Sequence, residues 1–159
     1  MSEFDFMAFR HHFPALNDKV VYLDSAATAL KPEAVIDATD AFYRQDSGNV
    51  HRSQYTAAVS LTARFEKARR QVAHWLNAPV PDSVVWTRGA TESLNLVAQS
   101  YARPLLRPGD EIIVSEAEHH ANLVPWLMVA QQTGAKVIKW TLGPDLLPSP
   151  ATLAGLLNN

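Results

Sequence analysis

Val84-Val85-Trp86-Thr87-Arg88-Gly89-Ala90-Thr91-Glu92-Ser93-Leu94-Asn95 is the stretch that decides how this chain is built. Three apolar residues in a row read as a buried strand, and a helical pattern runs from Thr91 to Ala102. Gly89 permits a tight turn between them. A strand that feeds directly into a helix is half of a β-α-β unit, and such units build parallel sheets covered by helices. The junction also has a chemical reading. A helix start offers unpartnered backbone N–H groups, the positive end of the helix dipole and here a hydroxyl, which together suit a phosphate. An ordinary capped helix fits the same residues, with Thr91 or Ser93 serving only the backbone. No Gly-Lys-Ser/Thr follows, so this is not a Walker loop.

The same alternation extends in both directions. Val20-Val21-Tyr22-Leu23, Ile112-Ile113-Val114 and Val137-Ile138 are further apolar bursts, continuous as in strands covered on both faces. Ala58, Leu61, Phe65, Ala68, Val72 and Trp75 share one face of a helix, with Glu66 and Arg70 paired across from them. Pro32-Glu33 opens another helix with proline in its first turn, and Asn122 to Gln132 reads as one more, stopped by Gly134. Arg107-Pro108-Gly109-Asp110 is a turn feeding a strand, and Ala151 to Leu157 reads as a short helix. The predicted fold class is α/β, a mostly parallel sheet with flanking helices. No strand follows the last helix, so the sheet is expected to be incomplete.

Composition narrows the function. With 159 residues, 47% hydrophobic, and a formal net charge of −2, the chain has the profile of one globular domain. Nothing in that charge attracts nucleic acid or an acidic membrane. There is no cysteine, hence no disulfide, thiolate metal site or cysteine nucleophile. Lysine occurs only at Lys19, Lys31, Lys67, Lys136 and Lys139. The N-terminus is acidic where a secretory signal is basic, and the longest apolar run, Leu123 to Ala130, contains Pro125 and is far short of a membrane span. The expectation is a soluble, cytoplasmic protein.

Three other loops follow expected strands or helices, where ligands bind in α/β sheets. Asp24-Ser25-Ala26-Ala27-Thr28 reads as a plain turn with Asp24 as a local cap, or as the small-residue wall of a site. In Glu116-Ala117-Glu118-His119-His120-Ala121-Asn122, adjacent histidines with no third ligand at a metal spacing argue against a metal. An imidazole there suits stacking on an aromatic cofactor and proton exchange, and solvated histidines fit as well. Asp46-Ser47-Gly48-Asn49-Val50-His51-Arg52-Ser53 is long enough for a functional loop, in which Arg52 can grip a carboxylate, or for a solvated connector.

Taken in order, Tyr22 to Pro32, Asn49-Val50-His51-Arg52, Thr87 to Asn95 and Glu118 to Trp126 resemble the N-terminal part of a pyridoxal-phosphate-dependent cysteine desulfurase. The superfamily is the class V aminotransferases, and the resemblance is nearest to the cysteine sulfinate desulfinase branch. It implies the large domain of a pyridoxal-phosphate fold-type I enzyme, with residues 1–159 as a truncated N-terminal part of that domain and residues 1–18 as a helical lead-in. It implies that Ala90 and Thr91 hold the cofactor phosphate; the family commonly has Thr-Thr there, so Ala90 keeps the N–H and loses a hydroxyl. His119 matches the catalytic histidine that stacks on the cofactor ring and assists proton transfer. His51 and Arg52 match a substrate-side loop near a homodimer interface, and Ala26-Ala27 a pocket wall.

The activity so implied turns L-cysteine into L-alanine and enzyme-bound sulfur for iron–sulfur clusters, with a sulfur-acceptor protein as partner. Selenocysteine or cysteine sulfinate is the alternative substrate, and a non-catalytic module docking on a full-length homologue the alternative role. In the family the Schiff-base lysine, the acidic partner of the pyridine nitrogen and the acceptor cysteine lie further along than residue 159. None of the five lysines sits in the family's lysine motif, so the chain is expected to be inactive alone.

Overall fold

The structure, a computed structural model, describes residues 4–16, 21–46 and 48–158. Chain contacts divide it into two compact units, residues 1–84 and 85–159, each described by itself.

In the first unit, Asp5 starts α1 (Phe6–Arg10) by accepting the Met7 and Ala8 N–H groups at 3.0 and 2.9 Å. This is the described helical part of the 1–18 lead-in. Helix α2 (Glu33–Gln45) begins one residue later than the sequence implied, with Pro32 as its extended N-cap. Helix α3 (Thr56–Trp75) buries Ala58, Leu61 and Ala73. The expected stripe is right at its start and wrong at its end, since Ala68 is exposed and Trp75 is 78% exposed. Its 3-4-3-4-3 spacing averages 3.4 residues and falls behind a 3.6-residue helix by roughly 20° per step. Five such steps put Trp75 roughly 100° from Ala58, off the buried face, while Ala73 lies within roughly 60° of it. Glu66 does not pair with Arg70: it faces His51 at 2.9 Å and Arg69 at 3.4 Å.

The second unit opens with α4 (Ala90–Leu96), which continues through a π-helical stretch, Val97–Ala102, into α5 (Arg103–Leu105). Pro104 lacks an N–H for the α-helical ladder, and the wider turn ahead of it takes up the change in register. At the expected 107–110 turn, Asp110 Oδ2 accepts the Arg107 N–H at 2.7 Å and Gly109 has φ of 97°. Strand β1 (Glu111–Ser115) follows, then a single 3₁₀ turn (His120–Asn122) and α6 (Val124–Thr133). Gly134 ends α6 in the left-handed conformation, φ 77°, as the sequence indicated. Strand β2 (Lys136–Trp140) returns parallel to β1, Glu111 opposite Lys136 and Ser115 opposite Trp140. The final turn, α7 (Pro150–Ala154), is tied back where Trp140 Nε1 donates to Thr152 Oγ1 at 2.9 Å. Ala98, Val114, Pro125, Val129 and Ala130 form the core.

The fold is therefore α/β with a small parallel sheet and flanking helices, as the sequence implied. Two of the four expected strands pair among the described residues. Residues 21–23 and 84–86 carry no strand ladder, and Val20 lies outside the described residues. Val21 and Leu23 are 81% and 89% exposed. Even the paired strands are only partly covered: in β1 Val114 alone is buried, where cover on both faces was expected. An apolar burst becomes a strand only when neighbours complete its hydrogen bonds, and these two bursts have none among the described residues. The exposed surface totals 12717 Å². Two separate compact units of half the mass would expose roughly 9,500 Å² together. Much apolar surface is thus left facing outward.

The carboxyl ends of the two strands are stapled by Glu116. Lys139 Nζ donates to its Oε1 at 2.9 Å and the Leu142 N–H to its Oε2 at 3.2 Å. The Lys139 hydrogen bond first, then the Leu142 amide, hold the Glu116 carboxyl below its ordinary pKa. A carboxyl with a lowered folded-state pKa stabilises the fold above its unfolded value, and that contribution is lost as pH falls through the folded one. The Leu142 amide should therefore lose hydrogen-exchange protection on acidification through and below the usual carboxylate range. Glu116→Gln should remove that pH dependence; an unchanged profile in the variant contradicts the staple.

Candidate active site

The turn from Thr87 to Ser93 is shaped by Thr87, Glu92 and Ser93, of which only Ser93 was singled out for it. Thr87 Oγ1 and Ser93 Oγ lie 2.7 Å apart, and both are 3.3 Å from the Gly89 carbonyl. Glu92 Oε2 accepts the Arg88 N–H at 2.6 Å, turning its carboxylate back before the helix. Ser93, not Thr91, therefore serves the backbone. The amides of Ala90 and Thr91 and the Thr91 hydroxyl have no partner among the described residues. Gly89 is extended, φ 161°, so the turn does not draw on glycine's conformational freedom as the sequence reading held. A Cβ there meets nothing within 4 Å, which leaves open space over the helix start.

The histidine loop runs into the 3₁₀ turn His120–Asn122, against which α4 packs. His119 caps this turn, its Nδ1 accepting the Ala121 N–H at 3.1 Å. An Nδ1 that accepts has no proton, so the neutral ring carries its proton on Nε2. The ring is exposed and meets His120 edge-on, centroids 6.0 Å apart. A ladder fixes the loop: Asn122 Nδ2 donates to Glu118 Oε2 at 2.8 Å, and Trp126 Nε1 to Asn122 Oδ1 at 2.9 Å. Its signal in the sequence was the four-residue spacing of Glu118, Asn122 and Trp126. The expected helix from Asn122 starts only at Val124 because this ladder shapes the residues before it. Among the described residues no cluster of three His, Asp or Glu side chains is placed to hold a metal ion.

Two other expected segments lie in the first unit. At Asp24–Thr28 the Asp24 carbonyl, not its carboxylate, accepts the Ala27 and Thr28 N–H groups at 3.1 and 3.0 Å. Tyr22 Oη braces the turn by donating to the Thr28 carbonyl at 2.6 Å. His51 is in the left-handed region, φ 64°, with its N–H on Thr62 Oγ1 at 3.1 Å. Arg52 is exposed and makes no hydrogen bond or ion pair with a described residue. The structure thus places Ala90 and Thr91 on α4 and His119 at the cap of the turn that α4 packs against, all in the second unit, and His51 and Arg52 in the first.

The class-V aminotransferase family model matches residues 21–159. Over 157 residues, 99% of the chain, the sequence is 64% identical to the cysteine desulfurase CsdA of Escherichia coli, 39% of whose length is matched. The crystal structure of that protein superposes with a TM-score of 0.84, over 99% of this chain and 39% of its own. An apo cysteine desulfurase from Thermococcus onnurineus gives 0.78 at 32% identity, over 87% of this chain and 34% of its own. A C-DES mutant with glycine covalently linked to its pyridoxal-phosphate cofactor gives 0.75 at 21% identity, over 94% of this chain and 38% of its own, and shares the fold. The chain spans about two-fifths of the length of the relatives it matches. No described helix is long and apolar enough to cross a membrane. A family pattern that runs from residue 21 through both loops of the site leaves one reading: the chain belongs to the class-V aminotransferase family.

Proposed function

We propose that these residues form the phosphate-holding and ring-stacking part of a pyridoxal-phosphate-dependent cysteine desulfurase, acting on L-cysteine in the cytoplasm as a homodimer and passing sulfur to an acceptor protein. One observation carries the reading: α4, which begins with unpartnered donors at Ala90 and Thr91, packs against the turn that His119 caps. The residues fit the cofactor. Two amides and a hydroxyl suit a phosphate, the space over Gly89 is open, and the Glu92 carboxylate is engaged elsewhere. Ala90 would contribute its N–H, and Thr91 its N–H and hydroxyl.

When bound, the cofactor supplies the electron sink that lets the Cβ–S bond of cysteine break. The chain's residues hold and protonate. His119 would lie flat on the cofactor ring and exchange a proton at Nε2, the nitrogen its own loop leaves free. No lysine of the 159 follows the family's lysine motif, so by themselves these residues hold no covalent anchor for the cofactor.

The test is reconstitution. The chain co-expressed with the part of the E. coli relative that it does not match should yield a complex whose cofactor absorbance survives dialysis and which releases alanine from cysteine. Failure to associate, or association without alanine release, contradicts the proposal.

A further inference from the structure

We infer that Trp126 and Asn122 are positioning residues for His119: the indole N–H fixes the side-chain amide of Asn122, and Asn122 grips the loop at the histidine so that the imidazole presents its Nε2 proton. The catalytic use of that proton rests on the desulfurase reading; the coupling of Trp126 to His119 does not.

An indole nitrogen donates and does not accept. Trp126 Nε1 lies 2.9 Å from the Asn122 side-chain oxygen, so that oxygen has to face the indole. The amide nitrogen then faces the other way, where it donates to Glu118 Oε2 at 2.8 Å. The flipped amide would set N–H against N–H at Trp126 and oxygen against carboxylate at Glu118, so a donor in α6 selects one of two orientations. The main chain of Asn122 acts on the histidine itself, its N–H donating to the His119 carbonyl at 2.8 Å. One residue thus holds both the side chain before the histidine and the histidine's own carbonyl. His119 is kept extended, φ −64° and ψ 148°, and from there its Nδ1 accepts the Ala121 N–H at 3.1 Å.

Trp126 can serve as the anchor because its helix is rooted. Helix α6 buries Pro125, Val129 and Ala130 and packs on β2 and on the π-helical stretch. Trp126 and Asn122 are half-buried, whereas Glu118, His119 and His120 are exposed. The ladder therefore runs from the core outward to a solvent-facing loop. The other end of that loop is tied to the sheet, where the Glu116 N–H donates to the Trp140 carbonyl at 2.9 Å and the Glu118 N–H to the Ser115 carbonyl at 3.3 Å. An exposed imidazole on a loose loop samples several rotamers and both tautomers. One held at both ends of its loop leaves less ordering to be done when the reaction starts.

The test uses the reconstituted complex with Trp126→Phe, which keeps an aromatic ring and loses the N–H, with Asn122→Ala, and with Asn122→Asp alone or together with Glu118→Gln. Asn122→Asp keeps the oxygen for Trp126 but sets a carboxylate against Glu118. Adding Glu118→Gln exchanges donor and acceptor across that contact and rebuilds it. In the cofactor-free complex the Ala121 amide should exchange about tenfold faster in the three single variants than in the parent. NMR of the His119 ring should then show a second tautomer, protonated at Nδ1. The double variant should return both readings to those of the parent. With cofactor and cysteine, the single variants should lower kcat about 10- to 100-fold with KM within about twofold, and the double variant should recover most of the loss. Parent-like exchange and tautomer in Trp126→Phe overturn the coupling, and a parent-like Asn122→Asp overturns the order of donors and acceptors. A changed tautomer with unchanged kcat overturns the positioning role in the reaction. If the parent complex is inactive the desulfurase reading fails, while exchange at Ala121 in the 159-residue chain and its variants still decides the coupling.

Discussion

Replacing His119 by alanine in the reconstituted enzyme is expected to lower kcat by about 10²- to 10⁴-fold, the usual contribution of a positioned acid–base group. KM for cysteine should move far less, because His119 does not hold the substrate carboxylate in this account. The geometry makes the expectation specific. His119 Nδ1 is engaged by the Ala121 N–H, and the turn it caps is held by the Glu118–Asn122–Trp126 ladder. The ring therefore has one nitrogen for the reaction and little freedom to turn. His119→Gln removes the acid–base pair but keeps a polar side chain, and should be as slow as the alanine variant. A Gln variant retaining most of the activity would assign the residue to packing alone.

The 159-residue chain alone is expected to release no alanine from cysteine, to retain no cofactor on dialysis and to self-associate. The first two follow from the absence of a lysine in the family's motif. The third follows from surface. Val21, Leu23, Val85 and Trp86 were read as strand residues, yet Val21, Leu23 and Val85 are 81%, 89% and 64% exposed and their segments have no ladder. Unpaired apolar edges are templates for association. Gel filtration should show species larger than monomer, with bound hydrophobic dye, and both should fall when the rest of the E. coli relative is co-expressed. A dye-free monomer with a sharp unfolding transition contradicts this, and a borohydride-fixed adduct at one lysine with alanine release contradicts the inactivity.

The sequence made some features plain and hid others, for physical reasons. The Gly134 stop, the 107–110 turn, β1 and β2 rest on local signals and are found where they were expected. The segments at 21–23 and 84–86 carried the same apolar signal, but strand formation is a property of pairs, and a burst cannot show whether a neighbour is present. In α3 the stripe misplaced Trp75 because a 3.4-residue spacing drifts on a 3.6-residue helix. At the site, Ala90, Thr91 and His119 were legible as motifs. The Thr87–Ser93 hydroxyl pair and the Glu66–His51 contact were not, since both depend on how a loop folds back on a helix.

The most direct measurement is a crystal structure of the reconstituted complex with pyridoxal phosphate. The account expects the phosphate to accept hydrogen bonds from the Ala90 and Thr91 amides and the Thr91 hydroxyl, with the His119 ring stacked on the pyridine. A phosphate bound away from the start of α4, or a pyridine ring that His119 does not touch, would contradict it.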